Sequence, residues 1–282
     1  MDDSPRPSAA PPDLLERLVA ALERLAQPTA PGADPATGDA FLWDGVRLAR
    51  VAPRRAQPLA LLVGIDGQAR RLVEAFGRHA AGLSAHDALL WGARGQGKSA
   101  LVHAARAAVV AGGADLPLVA LGAAALPTLP ALFTSLARVP RRFLLFIDDL
   151  AFDPSAQVEA RSLRSLLDGG VSARPGNVRL VVTTNHRHLW ADGAAGAPEP
   201  LAPRDAAEDR LALADRFGLV LGFHAASQAE YLAMVEGYAR HHGLPFDPAE
   251  ALAWAQERGA RSGRVAWQYV EELAGRAGIA LA

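Results

Sequence analysis

The stretch that decides the fold is Gly92-Ala93-Arg94-Gly95-Gln96-Gly97-Lys98-Ser99. It has the spacing G-x-x-x-x-G-K-[ST] of a phosphate-binding loop, follows an apolar run at 88–91 and leads into helix-forming sequence from Ala100. The glycines permit backbone conformations in which successive N–H groups turn inward and bind an anion at a helix N-terminus. The pattern predicts a strand, a loop and a helix, with the backbone from Gly92 to Ala100 around the phosphates of a nucleotide.

Composition singles out Lys98. It is the only lysine among 29 basic residues, and all the others are arginines. The ammonium group of lysine is compact enough to fit a tight phosphate cradle, whereas the planar guanidinium group of arginine is not. An ordinary glycine turn before a helix would explain the glycines but not this lysine. We therefore expect Lys98 to reach the β- and γ-phosphates and Ser99 to hold Mg²⁺.

Length and charge narrow the class of protein. The 282 residues, 50% of them hydrophobic, suffice for one large core or a core with a satellite domain. A net charge of −1 provides no global attraction for nucleic acid or anionic membrane, and the lack of cysteine excludes disulfides and thiolate metal sites. Neither a secretory signal pattern nor an apolar run of membrane-spanning length is present. We expect a cytoplasmic protein with no membrane partner.

Strand and helix patterns alternate through the middle of the chain. Apolar runs predict five strands, at 88–91, 116–121, 143–147, 178–183 and 219–223, with helices between them. Such alternation predicts a parallel sheet covered by helices on both faces. After residue 223 the strand pattern stops, and Ser227, Asp247 and Ser262 are each placed to cap a helix.

The predicted domains follow from these patterns. Residues 1–58 form an N-terminal tail, an amphipathic helix at 13–26 and a linker; 59–224 form the α/β core; 225–282 form a small helical lid. The apolar stripe of the N-terminal helix packs on the protein's own core or on a partner, and both remain open.

Two carboxylates, Asp148 and Asp149, end the predicted strand at 143–147. Asp148 is placed to hold the Mg²⁺ shell, and Asp149 to orient and polarise an attacking water. Taken alone, the pair would also suit an ordinary turn. Asn185 ends the next strand along the chain, where an open α/β sheet binds ligands, and is predicted to contact the γ-phosphate or its water. A turn role is the alternative for Asn185.

Arginines later in the chain are candidates for completing the site. Arg216 precedes the last strand and would reach a γ-phosphate held by a neighbouring subunit. Arg210 is the second candidate for this role. The alternative for Arg216 is a salt bridge within its own chain. Arg264, with Arg261 second, begins a C-terminal helix where the macrodipole disfavours a cation unless an anion compensates it. Solvated arginines are the alternative there.

With these residues in place, the chain resembles the AAA+ ATPases over residues 59–277, and most of all an uncharacterised bacterial family of AAA-like ATP-binding proteins that carries a domain of unknown function. The resemblance implies a Walker A motif at Gly92–Ser99, a Walker B motif at Asp148 and Asp149, sensor 1 at Asn185, an arginine finger at Arg216 and sensor 2 at Arg264. It implies a three-layer α/β P-loop NTPase core with a five-stranded parallel sheet in the order 5-1-4-3-2. It further implies an ATP and Mg²⁺ site beneath the lid, assembly into a ring or filament, and an adenine pocket at Val63, Gly64 and Ile65.

One departure separates two hypotheses about activity. AAA+ Walker B motifs usually end in Asp-Glu, whereas Asp149 is one methylene shorter. The leading hypothesis is an ATPase that drives assembly or remodelling of a macromolecular partner, either protein or nucleic acid. The alternative, motivated by Asp149, is a nucleotide-dependent binding module or loader, for example on DNA, with slow or no hydrolysis. A small-molecule P-loop kinase ranks third.

Overall fold

The computed structural model describes residues 32–150, 174–185 and 214–281, together with Leu163 and Leu167. The predicted helix at 13–26 and the fallback Arg210 lie outside these residues. The predicted helices at 155–168 and 204–216 lie mostly outside them.

A single sheet forms the centre of the described part of the chain and has seven strands in the order β2-β1-β4-β5-β6-β3-β7. All neighbouring strands are parallel except β1 and β2, which pair antiparallel. The strands are β1 (Ala40–Trp43), β2 (Leu48–Arg50), β3 (Ala88–Gly92), β4 (Leu118–Leu121), β5 (Phe143–Ile147), β6 (Val178–Thr184) and β7 (Leu219–Phe223).

The five predicted strands are β3 to β7, and their spatial order confirms the predicted 5-1-4-3-2 arrangement. The predicted count of five needs correction, because β1 and β2 extend the sheet beyond β4. These strands, of four and three residues, are too short for apolar periodicity to identify. They join the sheet because Phe41 and Trp43 are buried in the core and Phe41 is in register with Val119.

Helices cover both faces of the sheet, as predicted for a three-layer core. Successive strand residues face opposite sides, so Leu90 packs with Leu101 of one helical layer while Leu89 packs with Leu132 of the other. The helices of these layers that the structure describes from end to end are α1 (Asp66–Ala80), α2 (Lys98–Ala111) and α3 (Leu129–Ala137), the last preceded by a 3-10 helix at Ala123–Thr128.

Three further helices with their own apolar core form the lid: α4 (Gln228–His241), α5 (Pro248–Glu257) and α6 (Gly263–Arg276). Tyr231 and Tyr269 are fully buried within this core. All three predicted caps are present. Ser227 and Glu230 form a capping box at α4, and the Asp247 and Ser262 side chains accept backbone N–H groups at the starts of α5 and α6.

Candidate functional site

The phosphate loop runs from the end of β3 into α2, and its three glycines, Gly92, Gly95 and Gly97, take positive φ angles that other residues avoid. Gly97 caps α2 with φ of 90°. Gly92 has φ of 133°, and a Cβ there would lie 2.0 Å from the backbone oxygen of Phe223 at the end of the neighbouring strand β7. Glycine at position 92 is therefore required both by the backbone angle and by the close approach of β7.

Lys98 is buried, with 6% of its surface exposed. Its ammonium donates hydrogen bonds to the backbone oxygens of Gly92 at 2.6 Å and Ala93 at 2.9 Å, and to the side-chain oxygen of Asn185 at 2.8 Å. Burial lowers the pKa of Lys98 to about 8, although the carboxylates of Asp149 and Asp148 act in the opposite direction. The structure therefore brings the predicted phosphate lysine and the predicted sensor residue into direct contact.

Asp148 follows β5 and lies beside the start of α2. Its Oδ1 accepts hydrogen bonds from the hydroxyl of Ser99 at 2.6 Å and from the hydroxyl of Thr183 at 2.5 Å. Carboxylate and hydroxyl oxygens are the hard ligands that Mg²⁺ takes in proteins, usually with one or two carboxylates and the remaining positions filled by phosphate and water. The two residues predicted to hold Mg²⁺ are therefore adjacent and of suitable chemistry.

Asp149 is the one residue other than glycine with positive φ in the described ranges, at 54°. Short polar residues such as Asp and Asn tolerate this left-handed conformation better than other side chains do. One carboxylate oxygen accepts a hydrogen bond from the side-chain amide of Asn185, and the other pairs with Arg94 of the phosphate loop at 3.2 Å. The second acid is thus tied to two other predicted site residues.

The lid contacts the phosphate loop directly. The backbone N–H of Arg264 donates to the oxygen of Gly95 at 3.2 Å, and the side-chain amide of Gln96 donates to the backbone oxygen of Arg261 at 3.1 Å. These two contacts lie at the amino end of α6, so this helix is held over the loop.

A cleft of about 710 Å³ lies between the phosphate loop and the lid, and we call it the phosphate cleft. Lys98, Ser99, Asp148, Asp149, Asn185 and Arg264 all line it. A second, larger cleft of about 1040 Å³ lies between the end of β7 and the loop after α5, and Arg261 lines that one. Because the larger cleft contains neither Lys98 nor the two acids, the phosphate cleft is the candidate site. The two candidate lid arginines, Arg264 and Arg261, therefore line different clefts.

Several residues of the phosphate cleft were not identified from sequence. Arg54, Arg55 and His103 add positive or ionisable groups to its wall. Aromatic rings line the lid side, where Trp267 meets the rings of Tyr238 and His242 edge-on at 5.4 Å and 5.6 Å. The segment at 54–58 has no periodicity or motif that would have assigned it to the cleft.

The predicted adenine pocket and the predicted arginine finger do not lie on the wall of the phosphate cleft. Leu61 and Leu62 line the phosphate cleft, while Val63, Gly64 and Ile65 are not among its lining residues. The role of these three in an adenine pocket stays a prediction.

Arg216 precedes β7 at the edge of the sheet opposite the phosphate loop. At ~3.3 Å per strand residue, the five residues of β3 separate the two edges by about 16 Å.

A sheet in the order 5-1-4-3-2, a phosphate loop after strand β3, which lies between β6 and β7, and a helical lid define the P-loop AAA+ fold. RuvB from Thermotoga maritima, as a point variant, is similar with a TM-score of 0.53 and 17% identity, over 80% of this chain and 67% of that one. The Aeropyrum pernix ORC1 protein, solved in complex with DNA, is similar with a TM-score of 0.56 and 17% identity, over 76% of this chain and 61% of that one. At this identity the likeness establishes the fold.

The chain belongs to the family described as "Protein of unknown function (DUF815)", which matches residues 36–277. No curated protein gives a significant match.

Two further properties concern the described ranges only. None of their helices is both long and apolar enough to cross a bilayer. Nor do three His, Asp or Glu side chains cluster there as a metal site. Magnesium held mainly by phosphate oxygens does not need such a cluster.

Proposed function

We propose that the chain binds ATP with Mg²⁺ in the phosphate cleft and hydrolyses it. The observation that carries this proposal is the meeting of Lys98, Asp148 and Asn185, which follow three different strands, at one edge of the sheet. Asp148 contacts the loop through Ser99, and Asn185 contacts it through Lys98. This set of a lysine, a hydroxyl, a carboxylate and an amide matches the groups that phosphoryl transfer requires.

The phosphates would lie against the amide groups of the loop, with the Lys98 ammonium on the β- and γ-phosphate oxygens. Lys98 already donates to two loop carbonyl oxygens, so its position is set before a nucleotide arrives. Ser99 and Asp148 would hold the bound Mg²⁺, which neutralises phosphate charge and orients the triphosphate. Arg264 would add a second cation from the lid side.

Hydrolysis requires a water aligned with the γ-phosphorus. Asp149 would accept a hydrogen bond from that water and take its proton. The water oxygen would bond to the γ-phosphorus as the bond from the γ-phosphorus to the bridging oxygen breaks, which releases ADP and phosphate. In the structure, both Asp149 oxygens are engaged, by Arg94 and by Asn185. Asp149 must leave at least one of these contacts before it acts as a base.

Arg216 would complete the site of a neighbouring subunit. Its position at the far edge of the sheet keeps it from its own phosphate loop, so a catalytic role requires a second copy. We therefore expect a homo-oligomer, a ring or filament, when nucleotide is bound. Nucleotide-driven assembly or remodelling of a protein or nucleic-acid partner would follow from changes in that assembly.

The test uses purified full-length protein and phosphate release. Turnover should rise more steeply than linearly with protein concentration and disappear in Lys98→Ala. A mixture of Lys98→Ala and Arg216→Ala should regain part of the activity, because the first variant supplies an intact Arg216 to the intact Lys98 site of the second. Turnover that is strictly proportional to protein concentration, with no gain in the mixture, would contradict the shared site.

The contacts of Asp149 favour a second candidate function, a nucleotide-dependent binding module or loader with slow or no hydrolysis. A side chain held by two partners and one methylene shorter than Glu is poorly placed to reach water. The structurally similar ORC1 protein was solved with DNA, which makes DNA one partner to test. Tight Mg-ATP binding with negligible turnover would support this function, and vigorous turnover would exclude it.

The proposal includes a cytoplasmic location and no membrane partner. A cysteine-free chain suits a reducing compartment. Fractionation of cells that express the tagged full-length protein would test the location.

A further inference from the structure

Thr183 is a polar side chain buried in the central sheet, with 1% of its surface exposed. It lies in β6, next to β5, and its hydroxyl contacts both acids that follow β5. The hydroxyl donates to Asp148 Oδ1 at 2.5 Å and accepts the backbone N–H of Asp149 at 2.8 Å. Both the donor and an acceptor position of the hydroxyl are therefore in use.

The backbone of Thr183 extends this contact by one residue. Its carbonyl oxygen accepts the N–H of Leu150 at 2.8 Å. Regular pairing between β5 and β6 ends with Ile147 opposite Val182. Thr183 thus holds 148–150, the three residues that leave the strand.

These contacts bear on the conformation of Asp149. A left-handed backbone costs a residue other than glycine roughly 1 kcal/mol or more, so it persists only where its surroundings enforce it. The hydrogen bond to the Asp149 N–H and that to the Leu150 N–H lie on either side of the strained Cα. Together they set the direction in which the Asp149 side chain leaves the chain.

We propose that Thr183 is a positioning residue for the magnesium site, an inference that rests on the proposed function. Its hydroxyl orients the Asp148 carboxylate towards Ser99, and the same hydroxyl fixes the turn that directs Asp149 towards Asn185. Thr183 borders the phosphate cleft, but its side chain is buried and its hydroxyl is engaged by Asp148 and Asp149. It would therefore act through these two acids and not by contact with nucleotide or metal. Valine has nearly the same shape but no hydroxyl, so Thr183→Val removes the orienting group and leaves the Asp149 N–H unsatisfied.

The experiment measures how much Mg²⁺ strengthens nucleotide binding. Dissociation constants of a fluorescent ATP analogue are compared with excess Mg²⁺ and with EDTA, for the wild type, Thr183→Val, Thr183→Ala and Thr183→Ser. Val181→Ala is the matched control, because Val181 is buried two residues earlier on the same face of β6. Thermal unfolding of each variant is recorded in parallel.

We expect Thr183→Val and Thr183→Ala to reduce the factor by which Mg²⁺ strengthens nucleotide binding about fivefold to tenfold, the effect of losing one hydrogen bond of ordinary strength. Their affinity in EDTA should stay within about twofold of the wild type, and Thr183→Ser should keep the full Mg²⁺ effect. Val181→Ala should unfold at lower temperature without changing the Mg²⁺ effect.

Opposite outcomes are distinguishable. If Thr183→Val unfolds at lower temperature but retains the wild-type Mg²⁺ effect, the residue is only structural and the inference is overturned while ATP binding stands. The same holds if Thr183→Ser loses as much as Thr183→Val. If the wild type binds no nucleotide in either condition, the proposed function fails, and this inference fails with it.

Discussion

The ammonium of Lys98 lies 2.8 Å from the side-chain oxygen of Asn185, a residue 87 positions later in the chain. The contact follows from strand order. β3 and β6 are parallel neighbours, with Trp91 in register with Thr184, so the residues after their carboxyl ends meet at one edge of the sheet.

ATP affinity should fall as pH rises above about 8. Lys98 in the free protein has a pKa of about 8, while bound phosphate anions favour the charged ammonium and raise its pKa, so binding above this pH takes up a proton. The dissociation constant should then increase up to ~10-fold per pH unit. Calorimetric titrations with Mg-ATP between pH 7 and 9.5 would measure this change.

Lys98→Arg is the control for this pH dependence. A guanidinium stays charged to above pH ~12, so this variant should bind more weakly but with a flat profile over the same range. A flat profile for the wild type would show that Lys98 does not supply a titrating charge to the phosphates.

Asp149→Asn should bind ATP within about threefold of the wild type and lose ~100-fold or more in turnover, because the amide cannot act as a base. Asparagine tolerates the left-handed backbone at this position, so the fold should be retained. Phosphate release and nucleotide binding measure the two effects. Retention of wild-type turnover would exclude Asp149 as the base.

Asp149→Glu restores the acid usual in AAA+ Walker B motifs but places a longer side chain at φ of 54°. We expect a loss of about 1 kcal/mol in the free energy of unfolding, since Glu lacks the tolerance of Asp and Asn for this conformation. Urea denaturation beside the wild type and Asp149→Asn measures the difference. Equal stability of all three proteins would indicate that the left-handed turn does not select Asp.

Arg264→Ala should weaken ATP binding about tenfold, by the loss of a charge-assisted contact, whereas Arg261→Ala should change it less than about twofold. The two residues are three positions apart, but only Arg264 lines the phosphate cleft. Calorimetry on both variants provides the comparison. A larger effect of Arg261→Ala would indicate that the nucleotide contacts Arg261, which lines the larger cleft, and not Arg264.

Gly92→Ala should lower the free energy of unfolding by more than about 2 kcal/mol, because the new Cβ requires an unfavourable φ and would collide with the Phe223 carbonyl. Gly67→Ala is the control. Gly67 lies in α1 with no neighbour within 4 Å of an added Cβ, so alanine there should be neutral or stabilising by up to about 1 kcal/mol. Urea denaturation measures both, and similar values for the two would argue against the close approach of β7.

The features that the sequence determined are those encoded locally. The phosphate loop, the ends of β5 and β6 and the three caps of the lid helices each depend on a few adjacent residues with defined conformational preferences. Strand order followed from the resemblance to AAA+ proteins, not from residue patterns, because each strand alone is only an apolar run.

Tertiary structure decided which side chains share a cleft. In the sequence, Thr183 is one of several polar residues at the end of a strand. Only the pairing of β6 with β5 reveals that its hydroxyl is hydrogen-bonded to both the Asp148 carboxylate and the backbone N–H of Asp149. Nothing in the sequence distinguishes Arg261 from Arg264, but the direction of α6 places them in different clefts. Likewise β1 and β2 become strands because β4 offers an edge for pairing. Contacts between distant segments depend on how the whole chain packs, so no local pattern specifies them.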